Sequence, residues 1–199
     1  MTTTGIVLCG GRSSRMGQDK ASLAFGGETM LERAVRVLRE VADEVIVVAR
    51  AEQPMPTGVR AIHDPIEDLG PLAGIVAGLA ASATDVNFII ACDMPLIRAA
   101  VLTRLAELRG DADICVAVAD RHASPLCAVY RKRVASVGQE LLAAGERRVM
   151  TLLARVATKR VDAAALRDID PDLESFFSCN TPEDFQQAAL KCRPPDTVP

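Results

Sequence analysis

Two patterns of apolar residues alternate along the chain. Short continuous runs occur at 6–9 (Ile6-Val7-Leu8-Cys9), 45–49 and 88–92, as expected of strands covered on both faces of a parallel sheet. Between the first two, Met30, Leu31, Ala34, Val35, Leu38 and Val41 recur at helical spacing and predict one buried stripe. Thr29, with Glu32 three residues later, supplies a capping box that starts this helix. A shorter strand at 59–62 and a helix over 71–81 continue the alternation.

Strands separated by helices imply right-handed crossovers and a mainly parallel sheet. The expected fold is therefore α/β, a Rossmann-like three-layer α/β/α arrangement. Open sheets of this kind bind ligands beyond the C-terminal ends of their strands. The runs at 114–118 and 126–130 read as two further strands flanking a loop with Asp120, Arg121, His122 and Pro125, and either a hairpin or a crossover fits them. Thr181-Pro182-Glu183-Asp184 combines an N-cap, a proline at the first helical position and first-turn acids, so a last helix begins there. Closely spaced prolines make 193–199 a disordered tail, leaving a single domain over 1–192.

Composition narrows the class of protein. At 199 residues, one large core is the default against a prior of about 150 residues per domain. Apolar residues make up 49% and charged residues 25% of the chain, the balance of a soluble globular protein. A net charge of −3 argues against a nucleic-acid partner, whose footprint is a basic excess. The N-terminus has no basic region ahead of a long apolar run, so export is not indicated. The longest apolar stretch, near 72–81, is far shorter than the ~18 residues of a membrane span. The six cysteines contain no C-x-x-C pair and read as reduced thiols of a cytoplasmic protein.

Candidate chemistry follows two strand ends. After Leu8 and Cys9 comes Gly10-Gly11-Arg12-Ser13-Ser14-Arg15-Met16-Gly17-Gln18-Asp19-Lys20. Its glycines let successive main-chain N–H groups approach an anion, while Arg12, Arg15 and Lys20 supply charge. The loop fits neither the P-loop nor the dinucleotide fingerprint. Asp93 follows the strand at 88–92 and precedes Met94-Pro95. A carboxylate there suits Mg²⁺, which takes one or two carboxylates together with phosphate oxygens and water. An aspartate turned onto the backbone N–H two residues on is the alternative. His63 and His122 have no neighbour that would orient a ring nitrogen, and both are poor candidates for an essential base.

The loop, read as L-x-G-G-x-S-x-R-M-G-x-D-K, resembles the nucleotide-binding signature of the molybdenum cofactor guanylyltransferase family. Cys92-Asp93-Met94-Pro95 is similar to its C-D-x-P motif, and Gly70-Pro71-Leu72-Ala73-Gly74, preceded by Asp64, to its G-P-L-A-G segment. Ala144-Gly145-Glu146-Arg147-Arg148-Val149 and Asn180-Thr181-Pro182-Glu183-Asp184 extend the resemblance over nearly the whole chain. It implies a nucleotidyltransferase-type fold and transfer of GMP from GTP to the terminal phosphate of molybdopterin carrying molybdenum, with release of pyrophosphate. It places Arg15 and Lys20 on the triphosphate, Leu8, Cys9, Gly10 and Gly11 in main-chain contact with the nucleotide, Asp64 at GTP and Asp93 on Mg²⁺. Arg147 and Arg148 become candidates for the pterin phosphate. GTP, molybdopterin and an acceptor molybdoenzyme or its chaperone are the implied partners.

The acceptor phosphate has a second pKa of about 6 and is largely ionised at neutral pH, so the lack of a histidine base is no objection. The chain departs from the family where Cys9 replaces alanine, where 47–50 lacks an asparagine that some members place near the nucleotide, and where Ser124-Pro125 replaces His-Pro. A cytidylyltransferase on the same pterin, or a sugar-phosphate nucleotidyltransferase, could use the same loop and aspartate. A nucleotide-binding regulator without turnover is the alternative from a different class.

Overall fold

Strand β1 (Thr3–Cys9) lies near the middle of a seven-stranded sheet, with β4 (Glu44–Ala49) on one side and β6 (Val86–Ala91) on the other. The computed structural model describes residues 2–9, 20–50, 53–63 and 70–192. The expected tail at 193–199 lies outside them. Beyond β4 the sheet ends in β5 (Arg60–His63); beyond β6 it continues through β8 (His122–Arg131), β7 (Ile114–Ala119) and β9 (Thr158–Asp162). Only β8 runs antiparallel to its neighbours, so the sheet is mainly parallel. A small ribbon of β2 (Ala24–Phe25) and β3 (Glu28–Thr29) stands apart.

Alternate side chains of a strand point to opposite faces, which explains the unbroken apolar runs. Val7, Cys9, Val45, Val47, Phe88 and Ile90 meet α1 (Met30–Arg39) and α3 (Ala99–Arg109) on one face. On the other, Ile6, Leu8, Ile46, Val48 and Ile89 meet α2 (Pro71–Ala81), α4 (Val134–Ala143) and α5 (Val149–Arg155). A last helix, α6 (Pro182–Lys191), sets Phe185 edge-on to Phe25 with ring centres 5.6 Å apart. The fold is thus a three-layer α/β/α sandwich.

Local signals act as their chemistry requires. Thr29 and Glu32 form a reciprocal capping box at α1, and Thr181 and Asp184 form another at α6. Helix α1 ends at Arg39, so Val41 packs against the core from beyond the helix. Helix α2 lies close on the sheet because two of its residues lack a Cβ: one built at Gly78 would come within 2.6 Å of Ile6 Cγ2.

The strands β7 and β8 form a hairpin, not a crossover. Its turn is Asp120-Arg121, with φ of 47° and 68°, the two positive values a type I′ turn needs. His122 and Pro125, expected in the loop, belong to β8. The pairing shifts between Val116 and Val118, and such irregularity is where a sheet tolerates proline.

Candidate functional site

The chain leaves β1 in one direction, through β4 and β5, then crosses back by α2 to enter β6 on the other side. The crevice at the C-terminal ends of β1 and β6 is therefore the topological switch point, where open α/β sheets bind ligands. Leu8 pairs with Ala91, Cys9 with Ala49, and the N–H of Cys92 donates to the carbonyl of Leu8 at 3.1 Å. Asp93 is the next residue, set over the crevice.

Lys20 opens a short 3₁₀ turn, Lys20–Ser22, and its ammonium donates to Asp93 Oδ2 and to Asn180 Oδ1, each at 3.1 Å. The alternative reading of Asp93 as a backbone turn fails for a simple reason: the residue two positions on is Pro95, which has no N–H. Arg33 of α1 donates instead to the Pro95 carbonyl and so fastens the segment after Asp93.

Asn180 is held in place from both sides. Asp184 Oδ2 accepts the N–H groups of Asn180 and Thr181, each at 2.9 Å. The N–H of Cys179 donates to the carbonyl of Asp93 at 2.8 Å. Further back, Asp170 is fully buried and accepts the N–H groups of Glu174 and Ser175 at 3.2 and 2.9 Å. The Ser175 hydroxyl accepts the N–H of Arg98 at 3.1 Å, and the Arg98 guanidinium lies 3.4 Å from Asp170. The segments following Asp93 and following Asp170 are thus joined at two points. Burial and the neighbouring Asp93 carboxylate push the Cys179 thiol up to about 12, so it stays neutral beside the site.

Lys20 and Asp93 are each about one-fifth exposed (20% and 22%). Among the described residues no group of three or more His, Cys, Asp or Glu side chains could hold a metal. A carboxylate and an amide oxygen converging on one cation do fit Mg²⁺, a hard ion that needs few protein ligands when phosphates and water complete its shell. The donors already hold an ammonium in common.

The Gly145–Arg148 corner joins α4 to α5. Because Arg131 pairs with Val86, β8 ends at the sheet edge opposite Asp93, and α4 runs back from there. Gly138 packs on Leu72 and Val76 of α2. The corner therefore lies at the Asp93 end of the sheet. Glu146 organises it, accepting from the guanidinium of Arg148 at 3.0 and 2.7 Å, from the N–H groups of Arg147 and Arg148, and from the Thr151 hydroxyl. The Arg148 contacts, then Thr151, hold its carboxyl well below the usual range. Arg147 donates to the carbonyl of Leu142 at 3.0 Å. Both arginines thus have structural partners, while Arg148 remains 78% exposed.

Of the other sequence candidates, Leu8 and Cys9 are buried at the end of β1, so the main chain is what they can offer the crevice. Gly10, Gly11, Arg12, Arg15 and Asp64 lie outside the described residues. His63 and His122 are exposed, on β5 and at the start of β8.

A mainly parallel three-layer sheet whose switch point carries a lysine, an aspartate and an asparagine defines an α/β protein of nucleotidyltransferase type. Residues 5–161 match the MobA-like NTP transferase domain, and the chain belongs to that family. It is 36% identical to a probable molybdenum cofactor guanylyltransferase of Pelotomaculum thermopropionicum over 191 residues, covering 96% of this chain and 93% of that one. The molybdenum cofactor guanylyltransferase of Desulfosudis oleivorans is 33% identical over 189 residues, 93% of each chain. Among solved structures, molybdopterin-guanine dinucleotide biosynthesis protein A from Archaeoglobus fulgidus superposes with a TM-score of 0.82 at 26% identity, covering 95% of this chain and 98% of that one. No helix among the described residues is long and apolar enough to cross a membrane.

Proposed function

We propose that this protein transfers GMP from GTP to the terminal phosphate of molybdopterin carrying molybdenum, forming molybdopterin guanine dinucleotide and pyrophosphate, in the cytoplasm. The observation that carries the reading is the meeting of Lys20 and Asp93, 73 residues apart in sequence, at 3.1 Å over the switch point. The named relatives supply the substrate pair.

The chemistry asks the protein to hold two anions in line and to offset charge that grows on the nucleotide phosphates. Lys20 and Arg15 are assigned to the triphosphate, and the main chain of Leu8, Cys9, Gly10 and Gly11 to the nucleotide. Asp64 helps bind GTP. Asp93 and Asn180 would hold Mg²⁺, which when bound lowers the cost of charge on the phosphate oxygens. Arg148, exposed at the same end of the sheet, is assigned with Arg147 to the pterin phosphate. No side chain need act as a base, because the acceptor phosphate is already largely ionised. An acceptor molybdoenzyme or its chaperone is the expected recipient of the product.

The test is a pyrophosphate-release assay with molybdopterin, Mg²⁺ and either GTP or CTP. Release with GTP, abolished by chelation, supports the reading. Release with CTP alone would make the protein a cytidylyltransferase, and saturable GTP binding without release would make it a non-catalytic binder.

A further inference from the structure

The Lys20 ammonium donates to Asp93 Oδ2 and Asn180 Oδ1 at the same distance, 3.1 Å. These are the two oxygens assigned above to the divalent ion. An ammonium and a metal ion cannot both be centred between them, since like charges at such separation repel. Lys20 also has another destination: it is the cation assigned to the triphosphate, and its four-carbon stem turns on freely rotating bonds.

We propose that Lys20 is a resident cation that keeps the place of the divalent metal until the nucleotide arrives, so that metal and triphosphate enter together and the metal alone binds poorly. The proposal rests on the metal–triphosphate reading of the site and adds the order in which its parts fill. Before substrate binds, the ammonium neutralises Asp93 and ties together segments around residues 20, 93 and 180. When the triphosphate brings its own negative charge, Lys20 transfers to phosphate oxygens and the Asp93–Asn180 oxygens are released to the incoming ion. No bond is made or broken in this exchange, only ion pairs.

Among the described residues the oxygens that meet here are one carboxylate and one amide, and such a pair, already satisfied by an internal cation, favours an ion that arrives on phosphate. Free divalent ions are thereby kept from filling the site in an unproductive order.

The experiment titrates Mn²⁺, as a paramagnetic stand-in for Mg²⁺, into nucleotide-free protein and follows bound ion by electron paramagnetic resonance. Lys20→Met should raise the metal-alone affinity by about tenfold or more, the scale on which one neighbouring charge shifts occupancy of a carboxylate. Lys20→Arg, which keeps a cation, should leave it weak. The gain in Lys20→Met should vanish when Asp93→Asn is added. Equal affinities for wild type and Lys20→Met, with melting curves showing both folded, would overturn the proposal, as would a gain that survives Asp93→Asn. Failure of the underlying site reading looks different: Asp93→Asn would then leave Mn²⁺ binding unchanged even with a non-hydrolysable GTP analogue present.

Discussion

The main-chain N–H of Cys179 donates to the carbonyl oxygen of Asp93 at 2.8 Å, and this one bond places the following residue, Asn180, beside the aspartate. The bond needs no particular side chain at either position. The pairing of Asp93 with Asn180 is thus written into the course of the backbone, and the Lys20 ammonium joins the two side chains.

Asn180→Ala removes an oxygen from this group without disturbing the core, because Asn180 is exposed. A hydrogen bond to a charged partner is worth about 1.5–3 kcal/mol, so kcat/KM for GTP should fall by roughly 10- to 100-fold. The Mg²⁺ concentration for half-maximal rate should rise with it. Steady-state kinetics across a Mg²⁺ series checks both.

Two glycines of α2 should respond oppositely to alanine. A Cβ at Gly74 would sit 3.4 Å from Leu8 Cδ2, an ordinary contact, whereas at Gly78 it would come within 2.6 Å of Ile6 Cγ2. Alanine gains about 1 kcal/mol in helix propensity at either place, and overpacking costs about 1–3 kcal/mol at the second. Gly74→Ala should melt at or slightly above the wild-type temperature. Gly78→Ala should melt a few degrees lower, by the usual ~2–4 °C per kcal/mol for a chain of this size.

The Glu146 carboxyl is held below its ordinary value, first by Arg148 and then by Thr151. A depressed folded-state value means that the ionised form is the one stabilised. That stabilisation is complete above the unfolded carboxyl value of about 4.3 and is lost as pH falls toward the lower folded value. Glu146→Gln should therefore lower the melting temperature at pH 7, and the gap from wild type should narrow steadily below about pH 4. Differential scanning calorimetry at several pH values reads this directly.

The sequence reveals the strands that are covered on both faces, because burial leaves them no polar positions: β1, β4 and β6 stand out as apolar runs. Edge and surface elements do not. In β9 only Val161 is buried, so Thr158–Asp162 has no period to read. Helices α3 and α5 bury only Val101, Leu102 and Leu105, and Val149, Leu152 and Leu153, stripes too narrow to stand out in chain of mixed character. The candidate site divides in the same way. Lys20 and Asp93 could be picked out as charges following strand ends. Asn180 could be seen only as part of a helix start, since its role depends on a backbone bond between distant segments. Asp170 gave no signal, because an acid amid Asp168, Pro171 and Asp172 looks solvated, yet it is fully buried.

The central claim is that the Lys20 and Asp93 side chains act on one triphosphate, and Asp93→Asn tests it most directly because it is nearly isosteric and removes only the charge. With GTP, Mg²⁺ and molybdopterin supplied, pyrophosphate release by this variant should fall by about a thousandfold or more, an effect of roughly 4 kcal/mol on the barrier, while its melting temperature stays near that of the wild type. Wild-type turnover in a folded Asp93→Asn protein would contradict the account.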